Sequence, residues 1–402
     1  MSRTKQSRHN GSFVGLDTDG GVAPSPSTPA PVADGSYFNL LEPSSLVDAF
    51  IKDPPVGFRA LEIQSSDRVT PAFTTSYDLL TTLDPPVKRV LNPILKFSGL
   101  GLVLKPRTLF VGTTVSEYLL YPSWGDSGAW IMDCLKRAEA ENVSLLILKD
   151  MPSNSPLLGP DENARADEIR DHCRRAGFQF LAGQALAYVP IDFGSIEEYL
   201  QKLSSSRRKD LRRKLRKRVE VQVEEIPLGD PVFSDEDFVG RLFELYLNVY
   251  RQSEIHFDRL SFPFFSSVVR RCAGEGMTFV YRHRGKIIGF NLCFIHRNNL
   301  IDKTIGLVYP DARDLNLYFV SWLFNLEYAI RHGLKYYIAG WTDPEVKRSL
   351  GAEFTFTQHA VYPRNPVFRA GLVRFRRFFE MDQNWADTRR NRFREGSPEE
   401  TP

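Results

Sequence analysis

The chain has 402 residues, 42% of them hydrophobic and 25% charged, with 52 basic side chains against 49 acidic ones for a net charge of +3. This is the composition of a globular protein of about two domains, and it excludes a collagen-like, wholly disordered or disulfide-scaffold chain. The overall charge names no partner, and the four cysteines, Cys134, Cys173, Cys272 and Cys293, form no C-x-x-C pair and read as reduced thiols of a cytosolic protein.

Residues 1–35 (including GLDTDGGVAPSPSTPAPVADG) read as a tail too polar to offset its chain entropy by burial. Its opening, MSRTKQSRHNGSF, lacks the apolar core of a secretory signal. Leu102–Val111, Ser144–Lys149 and Phe178–Val189 predict strands, and Trp130–Asn142 and Asn163–Ala176 predict helices around the second of them. Gly125–Gly128 reads as a polar turn before the first of those helices. Glu197–Arg218 predicts one long helix, and Val219–Ile226 alternates with period two as a half-buried strand.

Farther along, Phe238–Arg251 and Phe262–Cys272 predict helices, the first with Phe238, Leu242, Leu245 and Val249 on one stripe. Met277–Arg282, Ile287–Ile295 and Leu300–Val308 predict an antiparallel meander, its turns set by Arg284-Gly285 and Asn298-Asn299. A loop at Pro310–Asn316 leads to a helix over Leu317–His332, closed by Gly333. A strand (Leu334–Ala339), a short helix (Asp343–Leu350) and a last strand (Phe354–Tyr362) follow. The most apolar stretch, Leu317–Ile330, is interrupted by Ser321, Asn325 and Glu327 and suits a buried helix, so no membrane span is expected and the chain reads as cytoplasmic.

No GxxxxGK[ST], GxGxxG, HExxH or GxSxG is present, and the seven histidines show no metal-ligand spacing, so no metal is expected. Two local features remain. Over Arg207–Arg218 nine of twelve residues are cationic, with Leu203, Leu211 and Leu215 as a narrow apolar stripe. This is either a solvated helix docked by its leucines or an anion-recognising helix facing phosphates of a cofactor, an RNA or an acidic lipid. The loop Tyr309–Asn316 joins a strand end to a helix N-terminus, where unpaired N–H groups and the helix dipole favour a pyrophosphate, with Asp314 or Asn316 as the cap.

Taken in order, these segments resemble a family. NLYFVSWLFNLEYAIRHGLKYYIAGWTDPEVKRSLGAEFTFTQHAVYPRNPVF is similar to the C-terminal signature of the BioF2-like (Acetyltransf_6) branch of GNAT acyltransferases, which is related to the Fem-type peptidyltransferases. Upstream, SSSRRKDLRRKLRKR and LYLNVYRQSEIHFDRLSFPFF resemble the basic helix and continuation of that branch. The resemblance covers about 195–366 and is weaker over 75–190. It implies an α+β fold of two fused GNAT-like units, each a mixed, mostly antiparallel sheet flanked by helices. The implied organisation is a tail (1–35), a degenerate first unit (36–195), a second unit carrying the cofactor cleft (196–366), and a C-terminal helix and tail (367–402).

The implied activity is metal-free transfer of an acyl group from acyl-CoA, acetyl-CoA first, to a primary amine of a small molecule or amino acid. Backbone N–H groups where Leu300–Val308 parts from Leu334–Ala339 would hold the oxyanion. The resemblance implies Asp302 as base with His256 as the alternative, and Tyr318 or Tyr337 as acid. Arg313, Asp314, Asn316, Leu317 and Lys347 would bind the donor, and Tyr250 and Trp341 the acceptor. PDARDLN lacks the glycines of the common pyrophosphate loop. Two alternatives therefore stand beside acyl-CoA: an aminoacyl-tRNA-dependent peptidyltransferase using the basic helix, and a non-catalytic binder of RNA or acidic lipid.

Overall fold

Aliphatic and aromatic runs closed by Gly, Asn or Pro become strands, and the amphipathic runs between them become helices. A computed structural model of the chain describes residues 37, 39–65, 68–76, 105–123, 125–253 and 257–365. The first half contains α1 (Ser44–Lys52), β1 (Arg59–Ser65), β2 (Arg68–Ser76), β3 (Arg107–Val111), α2 (Ser127–Ala140), β4 (Leu145–Pro152), α3 (Pro160–Arg175) and β5 (Gln179–Pro190). Two helices, α4 (Ile196–Lys202) and α5 (Ser205–Leu215), then lead to β6 (Gln222–Pro227). The second half continues with α6 (Glu236–Gln252), α7 (Phe262–Arg271), β7 (Gly276–His283), β8 (Lys286–His296) and β9 (Asn299–Leu307). It ends with α8 (Asp311–Asp314), α9 (Leu317–Arg331), β10 (Tyr336–Gly340), α10 (Pro344–Ser349) and β11 (Glu353–Pro363).

The expected long helix over Glu197–Arg218 is broken. Ser204 turns the chain and its hydroxyl accepts the Arg207 N–H at 3.5 Å, starting α5 as a new helix. Arg216–Glu220 tightens into a 3-10 turn, so the next strand begins at Gln222 instead of Val219. Four elements were not expected: α1, β1, β2, and α8 within the Pro310–Asn316 loop. The expected polar turn at Gly125–Gly128 does cap α2, with the Asp126 carboxylate accepting the Ala129 N–H at 2.6 Å.

The described strands form one eleven-stranded sheet in the order β1-β2-β3-β4-β11-β5-β10-β9-β8-β7-β6. In the first half, α2 connects the parallel neighbours β3 and β4; in the second, α9 connects the parallel neighbours β9 and β10. The fold is α+β, two GNAT-like units, and the units exchange their last strands. β5 leaves the first half to pair with β10, β11 leaves the second to pair with β4, and the two exchanged strands pair antiparallel with each other. Neither half can close its sheet alone. One sheet face buries Phe50, Phe73, Phe110, Phe265 and Phe290; the other buries Leu317, Trp322, Leu323, Leu326 and Tyr337 under α9. Close approach of α6 to β9 depends on Gly306, where a Cβ would sit 2.2 Å from Phe290 Cε1 and 2.8 Å from the Tyr246 nitrogen.

Candidate active site

β9 and β10 pair at only three positions: Tyr336 with Asn299, Tyr337 with Leu300, and Ile338 with Ile301. Beyond them each strand is bulged. On β9, Cys293 faces Asp302 and Leu292 faces Thr304, which leaves Lys303 as the extra residue. On β10, the register with β5 skips Ala339. The two strands therefore part past Ile301 and Ile338, and a cavity of about 510 Å³ is lined by the parted ends, Thr304 and Ile305 on one side and Trp341 and Thr342 on the other.

The ends of β3 and β4 reach the same cavity, so both halves contribute to it. Lys149 and Asp150 come from β4, His359 from β11, and Tyr250 and Asp258 from α6 and the segment after it. Asp150 adopts the left-handed φ of 59°, and its N–H donates to His359 Nδ1 at 3.1 Å, which places the ring proton on Nε2. Burial pulls the His359 imidazole below its ordinary pKa, against Asp150. Burial also pushes the Asp258 carboxyl up, against Thr114 and the ammonium groups of Lys149 and Lys303.

Comparison with known proteins bears on the family and the fold. Residues 205–348 match the family model described as an acetyltransferase (GNAT) domain. No curated protein matches the sequence. Among solved structures, the C-terminal domain of a putative lysylphosphatidylglycerol synthetase from Agrobacterium fabrum is similar over 82% of this chain and 89% of its own, with 10% identity and a TM-score of 0.50. FemX is similar over 84% of this chain and 95% of its own, with 12% identity and a TM-score of 0.50. At these identities the shared property is the fold.

On the sheet face opposite the cavity, under α9, the second half of the chain buries a polar network. Asn291 Nδ2 donates to Asp302 Oδ1 at 2.7 Å, the Tyr337 hydroxyl to Oδ2 at 2.9 Å, and Asn325 Nδ2 to Oδ2 at 3.5 Å. Burial pushes the Asp302 carboxyl up, against those donors and Lys347. Lys347, on α10, is 4% exposed, and burial lowers its ammonium from 10.5 to about 8, against Asp302, Asp343 and Glu117. Its Nζ has no hydrogen-bond partner among the described residues and lies 3.9 Å from the point where a Gly340 Cβ would be. The same point is 3.7 Å from the Asp302 carbonyl, so Lys347 reaches the root of the gap.

The other expected site residues divide. Tyr250 and Trp341 line the cavity. Asp302 does not line it; the alternation of β9 turns it to the α9 face. Tyr318 sits in the first turn of α9, its phenol pushed up by burial and by Asp343 and Asp302. His256 lies outside the described residues. The expected pyrophosphate loop is closed on itself: the N–H groups of Ala312, Arg313, Asp314, Leu315 and Asn316 all donate to carbonyls between Val308 and Arg313. Arg313 Nη2 donates to Gln252 Oε1 at 2.9 Å, and Asp314 is exposed on α8. Asn316 occupies the N-cap position of α9 at φ 51° but its side chain makes no cap, donating instead to the Lys214 carbonyl at 3.5 Å. The Leu317 side chain is in the core.

The basic segment docks along α9. Leu211 is buried, Lys214 Nζ lies 3.9 Å from the Phe319 ring centroid, and Arg218 pairs with Glu327 through bonds of 2.5 and 2.6 Å. Arg213 and Lys214 are paired with Asp210, and Lys217 with Glu220. Arg207, Arg208, Lys209, Arg212 and Arg216 have no acidic partner among the described residues. Sequence reasoning missed Lys149, Asp258, Lys303 and His359. The one signal available was Asp258 among aromatics in the IHFDRL segment, two residues from the His256 that drew attention.

Proposed function

We propose that the protein is an acyltransferase that passes an aminoacyl group from an aminoacyl-tRNA directly to a primary amine held in the cavity. The observation that carries this choice of donor is the closed α8 loop. The N–H groups of Ala312, Arg313, Asp314, Leu315 and Asn316 are spent on carbonyls of the loop itself, and Asp311 and Asp314 stand exposed where a CoA pyrophosphate would need positive potential. The free cations of α5, beside the first turn of α9, suit a polyphosphate backbone that follows the protein surface.

In this reading the acceptor nitrogen attacks the ester carbonyl carbon at the mouth of the gap. Asp258, its carboxyl pushed up by burial, takes the proton from that nitrogen. Backbone N–H groups on the unpaired edge of β9 hold the oxyanion. As the bond from carbonyl carbon to ribose oxygen breaks, Lys347 gives a proton to the departing oxygen. The products are an amide and deacylated tRNA, and the proton on Asp258 balances the one Lys347 has lost. Asp302, Asn291, Asn325 and Tyr337 hold the floor beneath Lys347 in one arrangement.

Transfer from acyl-CoA is the second reading, favoured by the family's description as an acetyltransferase domain. Single-turnover assays with radiolabelled aminoacyl-tRNA and with acetyl-CoA, offered a panel of small amines and amino acids, separate the two. Label moving from tRNA alone is the expected result; label moving only from acetyl-CoA overturns the choice of donor.

A further inference from the structure

We infer that Lys303 is a positioning residue through which the first half of the chain holds open the gap between β9 and β10 in the second. This rests on the acyl-transfer reading of that gap. Lys303 is the bulged residue at the point where the strands part. A bulge re-aims the strand and adds twist, but it needs something to hold the extra side chain.

Here two carboxylates from the first half do so. Lys303 Nζ donates to Glu42 Oε1 at 3.1 Å and to Glu117 Oε1 at 2.6 Å, and the Glu117 N–H also donates to Glu42 Oε1 at 2.7 Å. Both carboxylates are 1% exposed. Glu42 precedes α1 and Glu117 follows β3, so the clamp joins two segments of one half to the reacting strand of the other. Glu42 Oε2 and Glu117 Oε2 are buried without a hydrogen-bond partner among the described residues, so the cluster is not optimised for stability. Lys303 cannot swing away without leaving buried negative charge on Glu42 and Glu117 uncompensated, so the pair of carboxylates pins the bulged residue in place. Glu117 also acts at a distance on the site, its charge raising the pKa of both Asp302 and Lys347.

The test uses the full chain with Lys303→Met, its conservative partner Lys303→Arg, Glu117→Gln, and the triple variant E42Q/K303M/E117Q, which removes all three charges if Lys303→Met alone folds poorly. Two readouts are taken: amide hydrogen exchange over residues 302–307 and 338–342, and single-turnover rate against donor KM. Lys303→Met and the triple variant should exchange at least tenfold faster in those two segments while β1, β2 and β7 keep wild-type protection. Their rate should fall at least tenfold with KM within threefold of wild type, and Lys303→Arg should recover part of both. Uniformly faster exchange throughout the sheet, or wild-type exchange in the two segments, overturns the inference. The exchange readout needs no substrate. A wild-type protein that transfers no acyl group defeats the functional reading alone, and the clamp is then decided by exchange.

Discussion

Lys347→Met should make the protein more stable and less active. A lysine ammonium 4% exposed and without a hydrogen-bond partner among the described residues costs stability wherever it stays protonated. Unfolded, the group titrates near 10.5; folded, near 8. Between those values the unfolded chain binds the proton and the folded one does not, so this residue's contribution to stability rises with pH across that window. Below the folded value the penalty is complete, and the distance from 10.5 to about 8 corresponds to about 3 kcal/mol. Met fills the same space without a charge, although Asp302 then loses a cation that lowers its carboxyl. The expected gain is roughly 2–3 kcal/mol at pH 7, shrinking to about 1 kcal/mol at pH 9.5. Urea unfolding at both pH values, with m-values checked for constancy, measures it, and single-turnover transfer should fall at least tenfold. A variant that is less stable at pH 7, or equally shifted at both pH values, or still active, would refute the reasoning that this buried cation is kept for chemistry.

Asp258→Asn should lower the single-turnover rate by about 10²–10⁴ with little change in KM. In the wild type the acid limb of the pH–rate profile should lie above the ordinary carboxylate range, because burial raises that carboxyl. The quadruple variant R207Q/R208Q/R212Q/R216Q should fold normally but bind tRNA weakly, and the slope of log affinity against log salt should become less negative by about 3; filter binding over a salt series reads this. Gly306→Ala should cost about 1–3 kcal/mol in urea unfolding, because the added methyl meets Phe290 and the Tyr246 backbone on both sides of a packed contact.

Local signals carried the second half of the fold. The meander, α9 and its Gly333 terminus lie close to where periodicity and turn chemistry put them, because each is decided by residues near in sequence. β1 and β2 escaped, since RALEIQS and RVTPAFTTS carry few aliphatics and a proline. The strand exchange has no local signature at all: Phe180 faces Ala360 and Val189 faces Tyr337 across long stretches of sequence. The site was legible in the same proportion. Lys347, Tyr250 and Trp341 sit in or beside segments with recognisable patterns. Lys149, Asp258, Lys303 and His359 converge from four separate segments, so no spacing could reveal them.

The Pro310–Asn316 loop is the instructive difference. Its lack of glycine was visible in the sequence, but a short acidic stretch coiling into α8 and using up its own amides was not. In the structure Arg313 meets Gln252, distant in sequence, and the α9 N-terminus follows the turn directly.

The most direct measurement is a crystal structure of the protein soaked with a hydrolysis-resistant aminoacyl-adenosine, an amide in place of the ester. The carbonyl oxygen of the analogue should lie within about 3 Å of a backbone nitrogen on β9 between Asp302 and Leu307, with the adenosine toward α5. A carbonyl bound elsewhere in the cavity, or β9 and β10 found paired along their whole length around an analogue bound outside them, would contradict acyl transfer at the parted strands.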